Sequence, residues 1–115
     1  MKKALLDTSF ILTAVRNKID FCNEINFMGI KILVPKQILS ELEKINLQEA
    51  RLAMQILKKH KFEKIDLKTK NTDNGIILYA KYNPEVLIAT LDREIKRKIK
   101  NPKIIIRGKK KLEVI

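Results

Sequence analysis

Two short apolar runs in this chain end on the same chemistry. Ala4-Leu5-Leu6 stops at Asp7-Thr8-Ser9, and Val86-Leu87-Ile88-Ala89 stops at Thr90-Leu91-Asp92. Each reads as a buried strand that delivers a carboxylate, with hydroxyls beside it, to the loop at its end. Asp73 stands at the head of a further apolar-periodic segment. Glu41 and Glu43 fall on the two flanks of a helical stripe made by Ile38, Leu39, Leu42 and Ile45, and periodicity alone leaves open which of them faces a site. Carboxylates gathered in one cleft repel, so some keep their protons unless a cation joins them. A hard divalent ion, Mg²⁺ or Mn²⁺, removes that cost and takes carboxylates plus water as ligands. Such an ion activates water and stabilises charge on a phosphodiester. Each acid also has a structural explanation: Asp73 and Asp92 as helix caps or first-turn charges, Glu41 as a solvated residue beside Lys44.

The elements that must position these acids can be read from the hydrophobic pattern. Strands are expected near Lys3–Leu6, Ile30–Val34, Phe62–Leu67, Val86–Thr90 and Lys103–Arg107, and Leu112–Ile115 has the pattern of a short terminal strand. Between them lie a helix capped by Thr8 or Ser9, a second over Asp20–Met28, a third begun by Pro35, and others over Leu47–Lys59, Asn74–Tyr82 and Arg93–Lys100. Five strands alternating with helices imply an α/β fold: a parallel sheet with right-handed crossovers and helices on both faces. Ligands of such sheets bind beyond the carboxyl ends of the strands, where strand order reverses. If the first and fourth strands flank that reversal, Asp7 and Asp92 face one another across the crevice, with Asp73 and Glu41 able to join them.

Composition narrows the partner. At 115 residues the chain is expected to be one domain. Its single cysteine, Cys22, excludes a disulfide framework and a thiolate metal site, and beside Phe21 it reads as a core residue. His60, with no ligand-type residue at metal spacing, reads as a surface residue. The opening Met1-Lys2-Lys3 is followed by too short an apolar run for a signal peptide, and no stretch reaches membrane-span length, so the expectation is a soluble, cytoplasmic protein without a membrane partner. Lys and Arg number 25 against 13 Asp and Glu, a net charge of +12 that favours a polyanion, nucleic acid before membrane. The densest positive stretch comes after Asp92. Within a helix over Arg93–Lys100, Arg93, Lys96, Arg97 and Lys100 would share one face suited to tracking phosphates. Aromatic residues are only 5%, too few for a base-stacking platform.

Four segments in register carry a family resemblance. Leu-Leu-Asp-Thr-Ser at 5–9, Val-Pro-Lys-Gln-Ile-Leu-Ser-Glu-Leu at 34–42, Thr-Asp-Asn-Gly-Ile-Ile-Leu-Tyr-Ala at 72–80 and Ile-Ala-Thr-Leu-Asp-Arg-Glu-Ile-Lys-Arg at 88–97 resemble the motifs of PIN-domain ribonucleases, in order and spacing. The resemblance implies a single domain over residues 1–115, a three-layer α/β/α sandwich with a central parallel five-stranded sheet of order 3-2-1-4-5. By it, Asp7, Glu41, Asp73 and Asp92 match the catalytic, metal-binding acids, and Glu41 rather than Glu43 takes the motif position. Thr8, Ser9 and Thr90 fall where hydroxyls support those acids. Glu94 is a candidate extra acid, because Asp-Arg-Glu is similar to the Asp-Arg-Asp of PIN proteins in ribosome biogenesis; it also fits as a first-turn glutamate. Leu91 departs from the polar residue many toxins carry there. The implied activity is Mg²⁺- or Mn²⁺-dependent endoribonuclease cleavage of single-stranded or structured RNA, in ribosomal RNA processing or similar maturation. The alternatives are a toxin of a toxin–antitoxin pair, or a non-catalytic RNA-binding assembly factor. Implied partners are RNA, a second copy in a homodimer, and a protein antitoxin or ribosome-assembly partner. A phosphorylated receiver domain also carries acids at strand ends, but it needs paired acids after the first strand, and Asp7 has no acidic neighbour.

Overall fold

The computed structural model describes residues 1–115. In chain order the elements are β1 (Lys2–Leu6), α1 (Thr8–Arg16), α2 (Phe21–Phe27), β2 (Ile30–Pro35), α3 (Lys36–Lys44), α4 (Gln48–Lys58), β3 (Glu63–Ile65), α5 (Thr72–Tyr82), β4 (Leu87–Ala89), α6 (Arg93–Lys98), β5 (Lys103–Arg107) and β6 (Lys111–Val114). The sheet order is β3-β2-β1-β4-β5-β6. The first five strands are parallel, in the order expected, and β6 pairs antiparallel with β5.

The sheet therefore has six strands rather than five. The terminal segment Lys111-Leu112-Glu113-Val114 alternates polar and apolar residues, which suits an edge strand buried on one face only. Left-handed backbone at Gly108 and Lys109 reverses the chain into it. Arg107 then clasps Glu113 with two hydrogen bonds of 3.0 Å. On the inner side, the Leu112 N–H donates to Glu24 Oε1 of α2, which ties the new edge to the helical layer.

Strands β1 and β4 occupy the centre because both are apolar on both faces. Ala4, Leu5, Leu6, Ile88 and Ala89 are fully buried. Helices α1, α3 and α4 pack on one another, and α5 packs on α6. Right-handed crossovers leading away from the centre in opposite directions put α3–α4 and α6 on opposite faces. Phe10 of α1 meets Phe21 of α2 edge-to-face at 6.4 Å, and Cys22 is buried beside it. No helix is long and apolar enough to cross a membrane.

Three boundaries differ from the sequence expectation in ways that matter to the acids. Helix α1 is capped by Asp7 itself, whose carboxylate accepts the Thr8 N–H at 2.8 Å, rather than by Thr8 or Ser9. Helix α5 begins at Thr72 under an Asn71 cap, so Asp73 lies in the first turn instead of ahead of it. Helix α6 stops at Lys98, and Ile99 is extended (φ −118°, ψ 151°). The cause is Asn101, a buried residue whose side-chain amide donates to the carbonyls of Asn83 and Val86, both at 2.9 Å. That anchor pulls the chain down toward β5 before another helical turn can form.

Gly75 in α5 has a packing role. A Cβ at this position would come within 2.5 Å of Thr69 Cγ2 and 3.0 Å of Leu67 Cβ. The loop leading into α5 lies directly on the helix backbone, which only glycine permits.

Candidate active site

The chain reverses its direction of sheet growth between β1 and β4, which are hydrogen-bonded neighbours. Asp7 leaves β1 with its N–H on the carbonyl of Ala89, the last residue of β4, at 2.9 Å. Asp7 is only 6% exposed. Its Oδ1 accepts from Thr8 N–H, and its Oδ2 accepts from the Thr90 hydroxyl at 2.6 Å and the Ser9 hydroxyl at 3.3 Å. Each hydroxyl in turn accepts a backbone amide of the second loop: Ser9 Oγ from Leu91 N–H at 3.1 Å, Thr90 Oγ1 from Asp92 N–H at 3.1 Å. Thus Ser9 and Thr90 stitch the two strand ends together around one carboxylate.

Asp92 caps α6, its Oδ1 accepting from Glu94 N–H at 2.8 Å and Ile95 N–H at 3.2 Å. Glu41, on α3, receives a hydroxyl at each oxygen: Thr8 Oγ1 at 2.6 Å on Oε1 and Thr72 Oγ1 at 2.7 Å on Oε2. Glu43 is exposed, so Glu41 is the inward-facing glutamate of α3. The Thr72 contact was not legible in the sequence, where Lys68–Thr72 reads as a plain polar loop. The only signal was a threonine directly before an acid.

The acids sense one another. Burial raises the Asp7 carboxyl above its ordinary range; hydrogen bonds from Thr90 and Thr8 oppose that, and the charge of Asp73 adds to it. Asp73 is likewise raised, first by partial burial and then by the charges of Asp92 and Glu41. Elsewhere five of the nine remaining carboxylates pair with lysine or arginine. The acids in ion pairs are Glu49, Glu63, Asp66, Glu94 and Glu113, and none of the pairs uses Asp7, Glu41, Asp73 or Asp92.

Two expectations require correction. Glu94 does not join the acids; it bonds Arg97 along α6 at 2.7 Å, with both side chains largely exposed. That pair also engages one of the basic residues assigned to substrate. Lys100 lies beyond the end of α6, so it cannot continue a helical face with Arg93, Lys96 and Arg97. Arg93 remains exposed and Lys96 half-buried on the helix that Asp92 caps.

No three His, Cys, Asp or Glu side chains lie close enough together to hold a metal ion between them. The donor set nonetheless suits a hard cation. It is all carboxylate oxygen, it lacks lysine or arginine partners, and two of its members resist ionisation. Mg²⁺ and Mn²⁺ retain several waters when bound, so not every acid needs to touch the ion. A cavity of about 870 Å³ lies elsewhere: it opens at the amino ends of β2 and β3 and is lined by Met1, Lys31, His60, Phe62 and Glu63 among others. His60 is therefore half-buried in a cavity wall rather than freely exposed.

The profile of a PIN-like domain matches residues 4–109. The chain belongs to the PIN-like domain family. A curated relative, Ribonuclease VapC4 of Methanocaldococcus jannaschii, is 28% identical over 127 residues, an alignment covering 99% of this chain and 97% of that protein. The PIN domain endonuclease Utp24 has a similar solved structure, with a TM-score of 0.83 at 24% identity, covering 97% of this chain and 90% of that one. The PIN-like match includes all four acids, from Asp7 after β1 to Asp92 after β4.

Proposed function

We propose that this PIN-like chain, acting as one domain over residues 1–115, is a metal-dependent endoribonuclease that hydrolyses single-stranded or structured RNA. The observation that carries the reading is the reserved state of its acids. In a chain of net charge +12, Asp7, Glu41, Asp73 and Asp92 stand at the sheet's switch point without a cationic partner. Asp7, Asp73 and Asp92, with Glu41 completing the set, would hold Mg²⁺ or Mn²⁺. When bound, the ion supplies an activated water and charge stabilisation at the phosphodiester. The protein's own contribution is positional. Thr90 and Ser9 orient the Asp7 carboxylate, the α6 amides orient Asp92, and Arg93 and Lys96 offer cations to the backbone of the bound strand.

The ribonuclease activity in the name of the VapC4 relative supports the reading. It takes one of two forms, a ribosomal RNA processing enzyme or a toxin-type ribonuclease with a protein antitoxin as partner, and the glutamate of the Asp-Arg-Glu triplet that pointed to the first is committed to Arg97. A homodimer and a cytoplasmic location complete the reading. End-labelled RNA incubated with the purified chain tests it. Cleavage should require Mn²⁺ or Mg²⁺, stop with chelator, and fall by about 10²–10³-fold in Asp7→Asn while RNA binding persists. RNA binding with no metal-dependent cleavage in the wild type would establish an RNA-binding assembly factor instead.

A further inference from the structure

Carboxylates gathered at one sheet edge repel one another as they ionise and push the elements that carry them apart, so something must hold those elements together. The Glu41 carboxylate is placed to do so. It bridges the Thr8 hydroxyl at the head of α1 and the Thr72 hydroxyl at the head of α5, through bonds of 2.6 and 2.7 Å. In both bonds the hydroxyl donates and a carboxylate oxygen accepts at short range. The two threonines are the immediate neighbours of Asp7 and Asp73. A single carboxylate on α3 thus sets the distance between two acids that are 66 positions apart in the chain and belong to different helices.

The same helix also holds the loop that precedes α5. Gln37, one turn before Glu41, donates to Asp66 Oδ1 at 2.8 Å and accepts the Leu67 N–H at 3.2 Å. Lys36 pairs with Asp66 at 3.1 Å, and Asp66 accepts the Lys68 N–H at 2.8 Å. Leu67 and Thr69 then lie on the Gly75 backbone. The loop and the helix head are each fastened to α3, and Thr72 is the fastening next to the acid.

We propose that Thr72 is a positioning residue for the acidic site: its hydroxyl, through Glu41 and Thr8, holds Asp73 in register with Asp7 for cation binding. This rests on the reading of the acids as a divalent-cation site. Asp73 is on an exposed first turn and is repelled by Asp92 and Glu41, and the Thr72 bond is the tie to α3 next to it that opposes that repulsion.

The test uses the full chain and Mn²⁺ alone, followed by calorimetry, with cleavage kinetics as a second readout. Thr72→Val keeps the side-chain shape and deletes the hydroxyl; Thr72→Ser keeps the hydroxyl. Thr72→Val should weaken Mn²⁺ binding by about tenfold, the effect usual for an outer partner of a metal site. It should also lower kcat while leaving KM for RNA unchanged, and Thr72→Ser should restore both. Thr8→Val removes the opposite hydroxyl and must weaken Mn²⁺ binding in the same direction, so a folding failure of one variant leaves the other to decide. Wild-type Mn²⁺ affinity in Thr72→Val, or equal weakening in Thr72→Ser, overturns the proposal and leaves the cation site standing. If the wild-type chain takes up no Mn²⁺, the reading of the acids falls, and the proposal with it.

Discussion

Two sets of carboxylates on this molecule are treated in opposite ways. Glu63, at the amino end of β3, lies between Lys3 and Lys31, and hydrogen bonding from Lys31 with the charge of Lys3 holds it below the ordinary glutamate range. Asp66 is brought down to about 2 by Gln37, the Lys68 amide and Lys36, and Glu113 is lowered by Arg107. These acids are ionised, exposed and neutralised. In the second set, Asp7 at the carboxyl end of β1 and Asp73 at the head of α5 are raised instead, and the partners of Asp7 and Glu41 are hydroxyls and amides. What distinguishes the second set is that its acids lack lysine and arginine partners and crowd one another, which leaves room for a cation from solution.

The difference between the two sets is most vulnerable at the loop that fastens α5. Gly75→Ala puts a methyl group against Leu67 and Thr69, and the overpacking should cost about 1–3 kcal/mol in denaturant unfolding. Because the displaced loop leads into Thr72 and Asp73 at the head of α5, metal-dependent cleavage should fall as well. Full stability in Gly75→Ala would mean the loop is free to move and does not position the acids.

Stability against pH separates the two sets further. A carboxyl raised in the folded state holds its proton to higher pH than in the unfolded chain. Its contribution to stability is therefore greatest below the unfolded carboxyl range and is lost as pH rises through the folded value. Asp66, lowered to about 2, does the reverse: its contribution is present above the unfolded value and is lost as pH falls toward 2. Without metal, Asp7→Asn should therefore raise Tm near pH 7 by about 2–5 °C, the gain shrinking toward acid pH. A Tm that falls in Asp7→Asn at neutral pH would mean the hydrogen bonds of the carboxylate outweigh its burial. The smallest effect belongs to the control acid: Glu63→Gln should leave metal-dependent cleavage unchanged, since its partners are lysines at the far end of the strands.

The strand ends were the legible part of the sequence. Asp7 and Asp92 terminate apolar runs, and parallel topology sends the ends of adjacent strands to one edge. Ser9 and Thr90 were legible for the same reason, two residues from those acids. Thr72 was not, because its partner is 31 positions away and its surroundings are uniformly polar. Gly75 looks like any helical glycine until the loop packed on it is seen. Lys100 was assigned to a helical face because charge spacing alone continued the pattern. A single buried asparagine, Asn101, ended the helix first. The sixth strand was legible only as a short terminal pattern at Leu112–Ile115, because a strand that is short and polar on alternate positions is the weakest kind of sequence signal for a sheet.

Whether the second set of acids is reserved for a cation is decided by proton release on Mn²⁺ binding, followed by calorimetry in two buffers of different ionisation enthalpy near the acid end of the stability range. The chain should bind Mn²⁺ and give up protons as it does so, because Asp7 and Asp73 are raised and the ion forces them to ionise. Asp7→Asn should reduce both the uptake and the release. Mn²⁺ uptake that is absent, or that is identical in the wild type and Asp7→Asn, would refute the reservation of these acids for a metal ion.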